Sequence, residues 1–301
     1  MTDPILAAEV AEAAARAGGE VLTRMRQDGD LEIGYKDARA NLVTAADRES
    51  QRAVTDTILT AFPDHAVDGE EGTAGNMDSA DVWYVDPLDG TTNYTHGLPL
   101  FCVSVALRSG QAPRSGEAPR SGEARRSGEA RRSGEARRSG EPPRSGDQTV
   151  AGAVYDPSRD EMFVGVLGGG ATLNGTPVGV SDIARLDRAL VVAQAQTVSP
   201  DEIFAYARLV ERLMSVSGGV RSLGSPALTL CAIAAGRLDA YCEYSMDAWD
   251  ILAGQLILSE AGGTLTLFDG QPHMTADRAD VVASNGHVHA ELTDALRVLG
   301  A

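Results

Sequence analysis

The residues best suited to chemistry stand in one string, VWYVDPLDGTTNY, residues 82–94. Val82 to Val85 is a short β-branched and aromatic run, which reads as a strand that delivers Asp86. Pro87 has no N–H to give and is expected to end the ladder there. Asp89 follows three residues after Asp86, so two carboxylates project into one small volume. Gly90, Thr91 and Thr92 then open a helix whose first N–H groups are a seat for an anion. Carboxylates for a hard cation thus sit beside donors for a phosphate, the combination that metal-assisted phosphoryl transfer needs. An Asp-Gly turn after a strand is also common without any chemistry, and the pair alone would be read that way.

Two further acidic segments could join this string. Gly69, Glu70 and Glu71 precede the Asp86 strand, and WDILAGQLILSEAGG, residues 249–263, places Asp250 near a helix start. Each has a plain alternative: a Glu pair is usually surface, and an Asp at a helix start is an N-cap.

The elements that must position these residues follow from periodicity. A helix is expected from residue 4 to about 27, with Gly18 and Gly19 as weak points in its middle. A second should begin near Thr44, with Asp47 three residues on as in a capping box, and stop at Pro63. Strands are expected at 82–85, 101–107, 150–155 and 162–166, then at 190–193, 238–242, 264–268 and 281–284. Helices are expected at about 200–215, 226–236, 249–261 and 287–299. This is a mixed α/β chain whose sheets are covered by helices.

Residues 108 to about 146 break the pattern. A hexamer beginning Arg-Ser-Gly recurs in frame there, with no large apolar residue to offset the entropy of ordering it. It is expected to be a flexible, solvated loop. Joining Leu107 to Arg144 leaves FCVSVALRSGDQTVAGAVYDP, a hairpin with Ser-Gly-Asp as its turn. A single turn that expanded in hexamer units accounts for this, because long surface loops add little closure entropy. The rival reading is a functional basic arm.

Bulk properties narrow the class. A net charge of -17 argues against a nucleic-acid partner. Cys102, Cys231 and Cys242 form no C-x-x-C pair, as expected of reduced thiols in a cytoplasmic protein. The N-terminus has no basic stretch ahead of an apolar one, so it does not read as a signal peptide, and no apolar run approaches a membrane span.

Taken together, D-P-L-D-G-T-T at 86–92 and W-D-x-x-A-G-x-x-x-x-x-E-A-G-G at 249–263 resemble the inositol monophosphatase family of magnesium-dependent, lithium-sensitive phosphatases. Smaller matches agree: Lys36 and Asp37 in a loop similar to the family's mobile metal-site loop, NLVTAAD at 41–47, and RSLGSPALTLCAIAAGRLDAYCE at 221–243. The resemblance covers nearly the whole chain apart from the hexamers. It implies a layered α-β-α-β-α sandwich with an α+β half, residues 1–185, and an α/β half, residues 186–301, working as one catalytic unit.

The resemblance also implies roles. Glu70, Asp86 and the Leu88 carbonyl would hold one Mg2+, with Mn2+ as a substitute; Asp86, Asp89 and Asp250 would hold a second; a third, weaker ion would lie near Glu70. Glu70 and Thr91 would orient the attacking water, with Asp47 hydrogen-bonded to Thr91. The phosphate would lie over the N–H groups of Gly90 and Thr91. Asp89 would contact the substrate, and Gly224, Ser225 and Glu243 its polyol end. Pro226 stands where the family has Ala and removes a backbone N–H; it also reads as an N1 proline after Ser225. Asp247 also departs from the residues that some members carry. No Cys or His stands where a covalent phosphoenzyme would need one. The expected activity is hydrolysis of inositol 1-phosphate or a related small phosphate monoester, with broad specificity, by a homodimer. Histidinol phosphate, fructose 1,6-bisphosphate and 3′-phosphoadenosine nucleotides are alternative substrates within the superfamily. A non-catalytic regulatory or RNA-associated role on the same scaffold is the alternative from another class.

Overall fold

A computed structural model describes residues 2–28, 45–110, 148–195, 200–273 and 278–297, with the backbone of 33–35 and 42–44. Lys36, Asp37, the Thr44 side chain and the hexamer tract from 111 to 147 lie outside the described residues.

The helices are α1 (Pro4–Asp28), α2 (Ala45–Ala61), α3 (Thr91–Thr95), α4 (Pro200–Val216), α5 (Pro226–Ala234), α6 (Ala248–Glu260) and α7 (His289–Arg297). The strands are β1 (Ile33–Tyr35), β2 (Leu42–Thr44), β3 (Ala66–Gly69), β4 (Gly72–Gly75), β5 (Asp81–Asp89), β6 (Cys102–Ser109), β7 (Gln148–Asp156), β8 (Glu161–Val166), β9 (Gly170–Leu173) and β10 (Thr176–Pro177). After them come β11 (Leu190–Ala195), β12 (Gly219–Arg221), β13 (Ala240–Met246), β14 (Thr264–Leu267) and β15 (Ala279–Ser284). β1 and β2 pair only with each other, β3 to β10 form an eight-stranded sheet in the order 10-9-8-7-6-5-3-4, and the last group forms a five-stranded sheet in the order 12-11-13-15-14.

These elements stack in five layers. α1 and α2 cover one face of the large sheet, α5 and α6 fill the space between the sheets, and α4 and α7 cover the outer face of the small sheet. The sequence explains the order. β6 alternates two apolar sets: Val103, Val105 and Leu107 meet the α1 core, while Cys102 and Ala106 meet the core around α5 and α6. α5 and α6 are apolar around most of their circumference, as helices with a sheet on each side must be. α4 and α7 bury only part of theirs.

Two expectations change. The ladder does not stop at Pro87. β5 runs through to Asp89 with an irregularity between Asp86 and Asp89. The strands β1, β2, β3, β4, β9, β10 and β12 were not expected; each is short, and GTAG in β4 carries no apolar alternation to reveal it. The hairpin reading holds. β6 and β7 pair antiparallel, and their last described pair is Ser109 with Gln148, so Arg108 and Ser109 belong to the ladder rather than to a loop.

Gly18 is helical and buried where α1 crosses α2. A Cβ there would stand 2.8 Å from Ser50 Oγ and 2.9 Å from a Val54 methyl. Gly18→Ala gains about 1 kcal/mol of helix propensity but overpacks this crossing, which costs about 1–3 kcal/mol. The expected net effect in urea unfolding is destabilisation, and a more stable variant would refute the close approach.

The insertion point lies at the opposite end of the β5–β6 pair from Asp89. Asp81 faces Ser109 at one end and Asp89 faces Cys102 at the other, roughly 24 Å apart by strand rise. Deleting residues 111–146 yields the same chain as deleting 108–143. It should leave kcat unchanged and stabilise the fold by up to about 2 kcal/mol, because the closed loop shortens roughly tenfold. A large loss of turnover in that deletion would support the basic arm instead.

Candidate active site

The irregularity in β5 is what makes two aspartates usable together. In a regular strand, residues three apart point to opposite faces. Here Asp86 pairs with Ser104 and Asp89 with Cys102, so three steps on β5 match two on β6. The extra residue of this bulge turns both carboxylates to one face. That face looks into the middle layer, where Ser104 Oγ donates to the Trp249 carbonyl and where α5 and α6 begin. Pro87 sits inside the bulge, where a missing N–H costs no ladder bond. Its carbonyl accepts from Ser50 Oγ at 2.7 Å, and the Leu88 N–H donates to Asp86 Oδ1 at 3.0 Å.

Glu70 comes from the next strand. β3 runs parallel to β5 with Gly69 beside Val85, and the Glu70 N–H donates to the Val85 carbonyl at 3.0 Å. Glu70 and Glu71 are the two-residue turn between β3 and β4, not a loose surface pair. The Glu71 N–H is held by Gln51 Oε1 at 2.8 Å. Asp250 arrives from the small-sheet half of the chain. The N-cap of α6 is Asp247, which corrects the reading of Asp250 as a cap. Asp250 is the third residue of the helix, and its Oδ2 accepts the Asp247 N–H at 2.9 Å.

Gly90 closes β5 with φ 90 and ψ 37, a left-handed conformation that suits glycine. A Cβ there would stand 2.7 Å from the Leu100 carbonyl. The chain turns at once into α3, so Thr91 is its first residue. The Thr91 hydroxyl has one proton and two acceptors, the Leu88 carbonyl at 3.0 Å and Asp47 Oδ1 at 3.3 Å. Asp47 is buried in the first turn of α2.

The acidic residues lie within one another's electrostatic reach. Burial pushes Asp86 well above the usual carboxylate range, and the charges of Glu70, Asp89 and Asp250 push it further. Burial and the charges of Glu70, Asp89 and Asp247 do the same to Asp250. Asp89 is raised to about 6 by burial, against donors from Ser225, Ala227 and Cys102. Among the described residues, no three His, Cys, Asp or Glu side chains are already closed around one point. A set of hard oxygen donors in this arrangement suits Mg2+, which keeps several waters and needs no all-protein cage.

The polyol side differs from expectation. Gly224 has φ 72, and its N–H is taken by Gln194 Oε1 at 2.9 Å. Ser225 is 0% exposed and gives its hydroxyl to Asp89, so it has no surface to offer a substrate. Glu243 is 2% exposed, accepts from the Tyr241 hydroxyl, and is raised to about 8 by burial. Both side chains point inward: Ser225, at the start of α5, faces Asp89 of the large sheet, and Glu243 lies on the face of β13 that the middle layer covers. Pro226 is the N-terminal proline of α5, as the sequence suggested.

Two residues were missed. Asn93 Nδ2 donates to the Leu100 and Leu223 carbonyls, each at 2.8 Å, and so ties α3 to the Gly224 turn. Gln194 holds that turn from β11; a lone polar residue in the apolar run LVVAQA was the available signal.

The raised carboxylates make the metal-free fold sensitive to pH. Unfolded Asp89 titrates near 3.8 and folded Asp89 at about 6. The fold therefore holds the proton more tightly, and this contribution is complete below pH 4 and lost as pH rises through 6. Asp86 and Asp250 act in the same direction. In chelator, the melting midpoint of the wild type relative to Asp89→Asn is expected to fall between pH 4 and 7. A difference that stays flat over that range would contradict the burial of this carboxylate.

Comparison with known proteins follows the same lines. The sequence profile of the inositol monophosphatase family matches residues 2–117 and 145–299, on either side of most of the hexamers. The chain is 34% identical to a fructose-1,6-bisphosphatase/inositol-1-monophosphatase from Aquifex aeolicus, over 93% of this chain and 91% of the other. It is 32% identical to a Nus factor SuhB from Pseudomonas aeruginosa, over 92% and 90%. The solved inositol monophosphatase of Anabaena superposes with a TM-score of 0.75 at 33% identity, over 99% of this chain and 97% of that one. With its profile match, its relatives and its layered fold in agreement, this chain belongs to the inositol monophosphatase family.

Proposed function

We propose that the chain hydrolyses inositol 1-phosphate or a related small phosphate monoester, with water as the nucleophile and no covalent intermediate. The observation that carries this is the burial of Asp86, Asp89 and Asp250 within one another's electrostatic reach and that of Glu70. Like charges gathered in a buried site are costly to a fold, and bound cations would offset that cost.

Glu70, Asp86 and the Leu88 carbonyl would hold one Mg2+, and Asp86, Asp89 and Asp250 a second, with Mn2+ as a substitute and a weaker third ion near Glu70. Bound cations of this kind lower the pKa of water toward neutrality and neutralise the phosphoryl oxygens. The chain's own residues do the rest. Glu70 and Thr91 orient the water, and Glu70 takes its proton as the oxygen attacks phosphorus. Asp47 fixes Thr91 in place. The N–H groups of Gly90 and Thr91 hold the phosphoryl oxygens in line, the anion seat at a helix start. The ester P–O bond breaks on the opposite side and the alcohol leaves with a solvent proton.

The Gly224 turn lines the polyol side, with Ser225 and Glu243 contributing from behind it. The proposal extends to residues 1–185 and 186–301 acting as two halves of one unit, to a homodimer, and to lithium sensitivity. A cytoplasmic setting is supported by the buried, unpaired Cys102, Cys231 and Cys242. No helix among the described residues is long and apolar enough to cross a membrane.

A second reading, a regulatory role on this scaffold, is favoured by the relative named Nus factor SuhB. One variant separates the two. Asp89→Asn should lower kcat/KM by about a thousandfold or more, about 4 kcal/mol, with an unchanged circular dichroism spectrum. An unchanged rate would sink the catalytic assignment. With Mg2+ present, inositol 1-phosphate is expected to lead a panel that includes fructose 1,6-bisphosphate, histidinol phosphate and a 3′-phosphoadenosine nucleotide. A rank far below the others would remove it as the substrate.

A further inference from the structure

The Asp89 carboxylate is used unevenly. Among the described residues, all of its side-chain hydrogen bonds fall on Oδ2, which accepts from Ser225 Oγ at 2.6 Å, the Ala227 N–H at 2.8 Å and Cys102 Sγ at 3.5 Å. The first two donors come from the start of α5. A helix start has N–H groups with no partner inside the helix, and a Ser at the N-cap normally serves them with its own oxygen. Ser225 occupies that position, with φ -148 and ψ 99, yet its side chain makes no cap bond. Asp89, from the other sheet, takes the Ala227 N–H in its place. The N-cap serine is thereby free to grip the residue that does the capping. Asp89 is 3% exposed and Ser225 0%, so no bulk water competes for these bonds.

We propose that Ser225 is a positioning residue for Asp89. Its hydroxyl, together with the Ala227 N–H, fills Oδ2 and leaves Oδ1 as the oxygen presented to a cation. A carboxylate free to rotate about its last bond would offer either oxygen; donors crowded onto one oxygen fix the orientation. The same contacts clamp the start of α5 to the end of β5, so the turn that carries Gly224 moves with the metal ligand. This deepens the metal reading of Asp89 given above and is independent of which ester is the substrate. It also gives Ser225 a task that its burial allows, in place of contact with a polyol. Partners of metal ligands typically change affinity by ten- to a hundredfold when removed.

The test is Mn2+ binding, followed by the electron paramagnetic resonance signal of the free ion, in wild type, Ser225→Ala and Ser225→Thr. Thermal melting of the metal-free proteins checks the fold. Ser225→Ala should weaken binding at one Mn2+ site by about ten- to a hundredfold with little change in melting. Ser225→Thr keeps the hydroxyl and should restore most of the affinity. Should Ser225→Ala not fold, Ser225→Cys keeps the bulk with a weaker donor and should also weaken binding. Wild-type affinity in Ser225→Ala would overturn the proposal. So would an equal loss in Ser225→Thr, because the hydroxyl would then be irrelevant. A wild type that bound no Mn2+ would overturn the metal reading itself, a result distinct from either.

Discussion

The structure depends on a repulsion. Asp86, Asp89 and Asp250 are buried near one another, with Glu70 at their edge. Each would be better solvated apart, and their raised pKa values register that cost. Neutral hydrogen bonds soften it only in part. Leu88 N–H serves Asp86, the Asp247 N–H serves Asp250, and α5 serves Asp89. The rest of the molecule must supply enough apolar burial to hold the cluster, and its three cores do so on both faces of each sheet.

Such convergence cannot be made by one segment. The large sheet brings Glu70 beside Asp86 because β3 and β5 are parallel neighbours. The bulge in β5 then adds Asp89 to the face of Asp86. The middle layer contributes two helix starts, α6 with Asp250 and α5 with Ser225 and Ala227. Both begin where β5 ends, so electropositive helix ends point at the carboxylates. The arrangement is anionic where cations would bind and donor-rich where a phosphate would lie. A concavity of about 500 Å³ lined by Arg185, Arg212 and Glu291 holds none of these groups. Chemistry rather than hollow shape locates the site.

Much of this was legible because local rules and global fold agree. Apolar alternation located β5 to β8, and the string at 86–92 carried its chemistry in consecutive residues. What could not be read depends on partners distant in sequence. Pro87 signals a stop to any local rule, yet β6 resumes its pairing beyond it and converts the stop to a bulge. Asp250 resembles a cap, and only the preceding strand shows that Asp247 takes that place. Ser225 and Glu243 look like polar groups available to a ligand until the start of α5 is seen to face Asp89 and β13 to be covered by the middle layer. Motifs report residue types well, but they do not report burial.

The hexamer tract illustrates the same division from the opposite side. A composition without large apolar residues predicted no packed structure, and the ladder on either side closes without it, Ser109 against Gln148. Its tolerance follows from where β6 ends. The strand pair carries Asp86 and Asp89 at one terminus and this turn at the other, and the buried stretch between them transmits no demand for a particular turn length. A loop expanded at the opposite terminus, between Asp89 and Cys102, would have separated Gly90 from the Leu100 carbonyl that it packs against. Insertions that survive are therefore expected at the turn farthest from the carboxylates, and this chain carries its own there.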